Sequence, residues 1–116
     1  MTNLISKAFE GHNIRIITDQ QGEPWFVAAD IAKVLEYTEA SAMTRHLDDD
    51  EKGLSIVQTL GGSQELITIN ESGLYSAILK SRKPEAKRFR RWVTSEVLPA
   101  IRKTGSYAAT GALADE

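Results

Sequence analysis

The stretch Trp25-Phe26-Val27-Ala28-Ala29-Asp30-Ile31-Ala32-Lys33-Val34-Leu35-Glu36-Tyr37 changes its period partway along. Trp25-Phe26-Val27 is a short run of strand-forming residues, preceded by the turn cluster Asp19-Gln20-Gln21-Gly22-Glu23-Pro24. From Ala28 onward, Ile31, Val34 and Leu35 stand at i, i+3 and i+4, the stripe of a helix ending near Tyr37. A strand that hands over to a helix, with more strands on both sides, predicts an α+β chain.

Upstream, Leu4 to Glu10 and Asn13 to Thr18 alternate around Gly11-His12 and read as a hairpin. Downstream, Ala40 to Leu47 fits a second short helix, giving a tandem pair of helix-turn-helix shape. Asp48 to Gly53 is a turn. Leu54 to Thr59 and Gln64 to Asn70 flank Gly61-Gly62 as a second hairpin. A third helix opens at Asn70-Glu71-Ser72-Gly73, where Asn70 or Ser72 can accept from the free amides of the first turn. Leu74, Tyr75, Ile78 and Leu79 form its apolar face. The last helix runs from Pro84, suited to a first turn, to about Thr104, with Gly105 as its stop. Pro99 is expected to kink it, because it cannot bond back to the Ser95 carbonyl.

The net charge of the 116 residues is -2, which by itself argues against nucleic acid. Its distribution argues the other way. Residues 1–79 hold five bases against twelve acids, whereas residues 80–103 hold nine bases against Glu85 and Glu96. On a helical wheel, Ala86, Phe89, Trp92, Val93, Val97 and Ala100 share one arc. Lys83, Lys87, Arg88, Arg90, Arg91 and Arg102 take the remainder, and Glu96 is a misfit on the apolar side. Like charges at i, i+4, such as Lys83, Lys87 and Arg91, weaken a helix, a cost that implies a use. Phosphate contact is the sharp reading, an acidic protein partner is next, and a solvated face is the bland one.

Other chemistry finds little support. There is no cysteine, which excludes disulfides and thiolate metal sites. The run Asp48-Asp49-Asp50-Glu51 lacks the spaced oxygens of a calcium loop and reads as a solvated turn. His12, expected in a hairpin turn, and His46, beside the second helix, have no partner at ligand spacing. Gly61-Gly62 is not followed by Gly-Lys-Ser/Thr, so it is no phosphate loop. Trp25, Trp92 and Tyr75 read as core residues. No apolar run approaches the roughly 18 residues of a membrane span, and the N-terminus lacks a basic stretch followed by an apolar run.

Two long segments carry a family resemblance. The first is the opening stretch, Trp25 to Tyr37. The second is Ile69-Asn70-Glu71-Ser72-Gly73-Leu74-Tyr75 with Leu79-Lys80-Ser81-Arg82-Lys83-Pro84-Glu85-Ala86-Lys87-Arg88-Phe89-Arg90-Arg91-Trp92-Val93. It continues through Glu96-Val97-Leu98-Pro99 to Ile101-Arg102-Lys103-Thr104-Gly105, and His46-Leu47-Asp48 with Asp50-Glu51-Lys52 also fits. From about Phe9 to Tyr107 the chain resembles the Bro-N domain, the N-terminal module of baculovirus repeated-ORF proteins and of many phage antirepressors. The resemblance implies an α+β domain that binds DNA, usually followed by a separate C-terminal domain; in phage antirepressors the protein opposes the phage repressor. It supplies no contact residues.

The expectation is therefore α+β, with two β-hairpins forming a small antiparallel sheet packed on about four helices, the last one long and basic. Residues 1–107 form the domain and 108–116 a tail or a shortened linker. The expected function is a DNA-binding module of a phage or prophage transcriptional regulator, non-enzymatic, without cofactor or metal, in the bacterial cytoplasm. Arg82, Lys83, Lys87, Arg88, Arg90 and Arg91 are the expected DNA contacts, with Lys33 and Arg45 from the short helix pair in second rank. The DNA is expected to be double-stranded, a phage repressor protein is the alternative partner, and a homodimer would suit paired half-sites.

Overall fold

The computed structural model describes residues 3–103. The expected stop at Gly105 and the tail 108–116 lie outside the described residues. The two hairpins belong to one antiparallel sheet. Strands β1 (Asn3–Phe9), β2 (His12–Thr18), β3 (Pro24–Val27), β4 (Lys52–Thr59) and β5 (Gly62–Ile69) lie in the order β1-β2-β3-β5-β4. Short β3 joins the hairpins, pairing Phe26 with Ile16 on one side and with Ile69 on the other. His12 is the first residue of β2, so it does not sit in the turn as expected. The turn is Glu10-Gly11, both at positive φ, the conformation that matches strand twist in a two-residue hairpin.

Four helices cover one face: α1 (Ala28–Val34), α2 (Ala40–Thr44), α3 (Glu71–Lys80) and a long last rod. The rod is α4 (Pro84–Trp92), a π-helical turn at Val93–Val97, and α5 (Leu98–Lys103). Ile14, Ile16, Phe26 and Ile69 on the covered face, with Ile31, Leu74, Phe89, Val93 and Val97 from the helices, form the main core. The opposite face carries a smaller cluster of Ile17, Val27 and Leu66, flanked by Trp25 and Val57. Trp25 lies over Gly53, where an added Cβ would come within 3.0 Å of the indole. Trp25 is thus half-buried on the second face, while Trp92 packs on the main core.

Helix α1 ends three residues before Tyr37 for a local reason. The Tyr37 amide donates to the Ala32 carbonyl at 2.9 Å and the Glu36 amide to that of Lys33 at 3.3 Å, with Glu36 left-handed at φ 60°. This pair of bonds closes the carbonyl end of the helix. Tyr37 still packs on the core, and its hydroxyl donates to the Ala77 carbonyl at 3.1 Å. The apolar stripe therefore outlasts the helix.

The acidic turn is a structural joint. Residues Asp49–Glu51 form a 3-10 turn in which the Asp48 amide donates to the Glu51 carboxylate at 2.9 Å. The Ser72 hydroxyl donates to the same carboxylate at 2.6 Å, and this bond with that from the Asp48 amide holds the Glu51 pKa below its ordinary value. Asn70 caps α3 by accepting from the Gly73 amide at 2.9 Å, while its own side-chain amide donates to the Asp50 carbonyl at 3.0 Å. Gly73 is needed here, since a Cβ would lie 3.0 Å from the Glu51 carbonyl oxygen.

Pro99 acts through the π turn. A wider turn ahead of proline makes room for its ring, and the Leu98 amide bonds back to Val93, five residues earlier. The extra residue shifts the helical phase. Val93, Val97, Leu98 and Ile101 all stay buried, while Thr94, Ser95 and Glu96 face solvent. Glu96, a misfit on a regular wheel, is thereby exposed.

Candidate nucleic-acid interface

An aromatic anchor sets the position of α4. Phe89 is fully buried, and its ring centroid lies 5.1 Å from Phe9, edge to face, and 5.7 Å from Trp92, nearly parallel. Phe9 and Trp92 are 5.3 Å apart. Because Phe9 ends β1, this cluster seats α4 at the β1–β2 end of the sheet, and Ala86 joins the same buried side. The helix then turns Lys87, Arg88, Arg90 and Arg91 outward, all of them exposed.

These cations fall into two groups. Arg88 is held by Glu10, its Nε donating at 2.7 Å to one carboxylate oxygen and its Nη2 at 3.0 Å to the other. That fork-to-fork contact is the first cause of a Glu10 pKa below its ordinary value and of an Arg88 pKa above its own. Lys83, at the N-terminal cap of α4, lies 3.2 Å from Glu36. By contrast, Arg82, Lys87, Arg90 and Arg91 have no ion-pair partner among the described residues. Lys87, Arg90 and Arg91, at i, i+3 and i+4, line one shallow concavity with Thr94. The Thr94 hydroxyl donates to the Arg90 carbonyl at 3.1 Å and the Ser95 hydroxyl to that of Arg91 at 2.6 Å.

The two second-rank residues sit apart. Lys33, on α1, borders a depression with Gly11, His12, Asn13, Arg15 and Asp30. The Glu10-Gly11 turn thus stands between Lys33 and α4. Arg45 follows α2, exposed, with its Nε donating to the Ser41 carbonyl at 3.3 Å. Between α3 and α4 runs a more apolar groove lined by Tyr75, Ile78, Leu79, Arg90 and Thr94, with Leu79 77% exposed. Burial is the main cause of a raised Tyr75 pKa, so the phenol stays neutral beside Arg90. Tyr75 is half-buried, a core-side residue that also lines this groove.

Sequence reasoning did not foresee three contacts. Buried Asp30 accepts from the Arg15 backbone amide, Nε and Nη2, each at 2.9 Å. It serves β2 where β3 is too short to pair. The other two are the clamps Glu10–Arg88 and Glu36–Lys83. Glu10 and Glu36 are the described non-glycine residues at positive φ, and each holds a cation at or beside α4. A left-handed glutamate costs about 1–2 kcal/mol. Since an exposed pair contributes only about 0–1 kcal/mol, Glu36→Gly is expected to raise stability by about 0.5 kcal/mol in urea unfolding. A loss above about 1 kcal/mol would show that the Lys83 pair outweighs the strain.

Among the described residues, no helix is long and apolar enough to cross a membrane, and no three His, Cys, Asp or Glu side chains cluster to hold a metal. No solved structure matches the chain. It is 43% identical over 100 residues to an uncharacterized protein of Haemophilus influenzae, covering 85% of this chain and 50% of that one. A protein of Invertebrate iridescent virus 6 named for a Bro-N domain is 36% identical over 104 residues, covering 73% of this chain and 25% of its own. The Bro-N domain-containing protein ORF2 of Autographa californica nuclear polyhedrosis virus is 29% identical over 112 residues, covering 82% and 34%. The chain thus spans half or less of the length of these relatives. The family model of the BRO family, N-terminal domain, matches residues 13–99, three quarters of the chain, and the protein belongs to that Bro-N family.

Proposed function

We propose that the chain is the DNA-binding module of a phage or prophage transcriptional regulator of the antirepressor type, acting in the bacterial cytoplasm by binding and not by catalysis. The observation that carries this is the exposed row Lys87, Arg90 and Arg91 on α4, which like Arg82 ahead of the helix has no carboxylate partner among the described residues. Such a row on a rigid helix suits a phosphate backbone, which supplies regularly spaced charge and releases counterions on contact. The test is fluorescence anisotropy with random duplex DNA across salt concentrations. Four phosphate contacts give a log–log slope of roughly -3.6. Glu10→Asn suits the left-handed turn and frees Arg88, so it is expected to steepen the slope by roughly 0.9. No binding at low salt would overturn the proposal.

A second reading has one observation of its own. Leu79, exposed beside Arg90 in the α3–α4 groove, suits a protein partner such as a phage repressor. Repressor capture that is insensitive to salt and lost with Leu79→Asp, together with no DNA binding, would favour it.

A further inference from the structure

The two edges of the sheet are unlike. On β1, Lys7 stands between Ile5 and Phe9 on the helix-bearing side, an inward charge of the kind that blocks strand addition. On β4 the ionisable residue is Lys52, at its first position; nothing from Gly53 to Leu60 is ionisable, and there is no proline. Its ladder with β5 runs from Lys52–Ile69 to Thr59–Gly62 without a bulge. Register places Leu54 opposite Ile67, with Ile56 two residues along on the same side. These three are 57%, 49% and 57% exposed, beyond the cover of the helices. A regular edge, uncharged from Gly53 onward and apolar on its helix-bearing side, is poised to pair with another strand.

We propose that β4 pairs antiparallel with β4 of a second copy, making a two-fold dimer with one continuous ten-stranded sheet. A second copy fits because a two-fold interface sets a patch against itself, and a charged patch would repel its mate. Centred on Ser55, the pairing puts Leu54 of each copy opposite Ile56 of the other. The two-fold axis of an antiparallel pair stands perpendicular to the sheet, so both helical layers share one side. Each α4 sits over the β1–β2 end. The two are then eight strand spacings apart, about 38 Å before twist shortens it. One turn of duplex DNA is about 34–36 Å. The pairing stands independently of the proposed function; only this spacing rests on it.

Sedimentation velocity without DNA tests the pairing. The 116-residue chain is expected to be dimeric at about 100 µM. Ile56→Lys, at an exposed position, is expected to weaken the dimer about 100-fold while leaving the circular dichroism unchanged. Because the chain has no cysteine, Ser55→Cys is expected to give a disulfide-linked dimer on mild oxidation. Ser6→Cys, on the other edge, is expected not to. A wild-type monomer at that concentration would overturn the proposal. So would a dimer that Ile56→Lys leaves intact or that crosslinks through Ser6→Cys and not Ser55→Cys.

Discussion

Replacing Lys87 and Arg91 together by glutamate is expected to weaken duplex DNA binding about 100-fold at low salt and to halve the salt slope, from roughly -3.6 to roughly -1.8. Both side chains are exposed on α4 and neither has an ion-pair partner among the described residues, so the change removes no internal bond. The two positions are i, i+4 neighbours. Glutamate at both keeps a like-charge pair, so helix stability changes little. The comparison that decides is Lys33→Glu/Arg45→Glu. It changes the net charge equally but acts on α1 and the end of α2. If that variant loses as much affinity, binding does not rest on this face: it follows overall charge or reaches the second-rank residues Lys33 and Arg45. If Lys87→Glu/Arg91→Glu binds like wild type, the face is wrongly assigned and the α3–α4 groove becomes the place to test.

The change of period at Val27–Ala28 was legible because it is local: three strand formers, then a helical stripe, are where the structure puts β3 and α1. The Asn70 cap was legible for the same reason. Strand order was not. That short β3 pairs with β5 is a tertiary choice, set by which apolar faces meet. Helix α1 is shorter than its apolar stripe because Leu35 stays buried and Tyr37 half-buried through a left-handed turn, so burial and helix part company there. Pro99 was visible, but not its consequence, since a regular wheel cannot register a π turn.

For the site, composition identified the basic helix but could not say which cations are committed. Glu10 and Arg88 are 78 residues apart in sequence. The one available signal was Glu10-Gly11 at a hairpin tip, where asparagine is the usual left-handed partner of glycine. At Glu10 the carboxylate takes both bonds of the Arg88 fork, a contact that asparagine could not make as an ion pair. Six candidates on the last helix and its approach thereby become four uncommitted cations and two clamped ones, which is why the expected salt slope is shallower than six contacts would give.

Phe89→Ala is expected to cost about 3–5 kcal/mol, the range for a fully buried phenylalanine truncated in a core. The cavity would open beneath α4, between Phe9 and Trp92, and would remove one of the two ring contacts, Phe9–Phe89 and Phe9–Trp92, that fix the helix on the sheet. For a domain of this size each kcal/mol lowers Tm by about 4–8 °C, so a fall of at least about 12 °C is expected in thermal unfolding. Phe89→Leu keeps most of the volume and is expected to cost less than half as much. The pair of variants separates anchoring from contact. Phe89 has no exposed surface to offer DNA, so at temperatures where both variants are folded their salt slopes should equal that of wild type, even if Phe89→Ala binds more weakly. A cost below about 1.5 kcal/mol would mean that α4 is seated chiefly by Val93, Val97 and the Glu10–Arg88 clamp. A changed slope in folded Phe89→Leu would mean that small shifts of α4 re-aim Lys87, Arg90 and Arg91, making the aromatic anchor part of the recognition geometry as well as of the core.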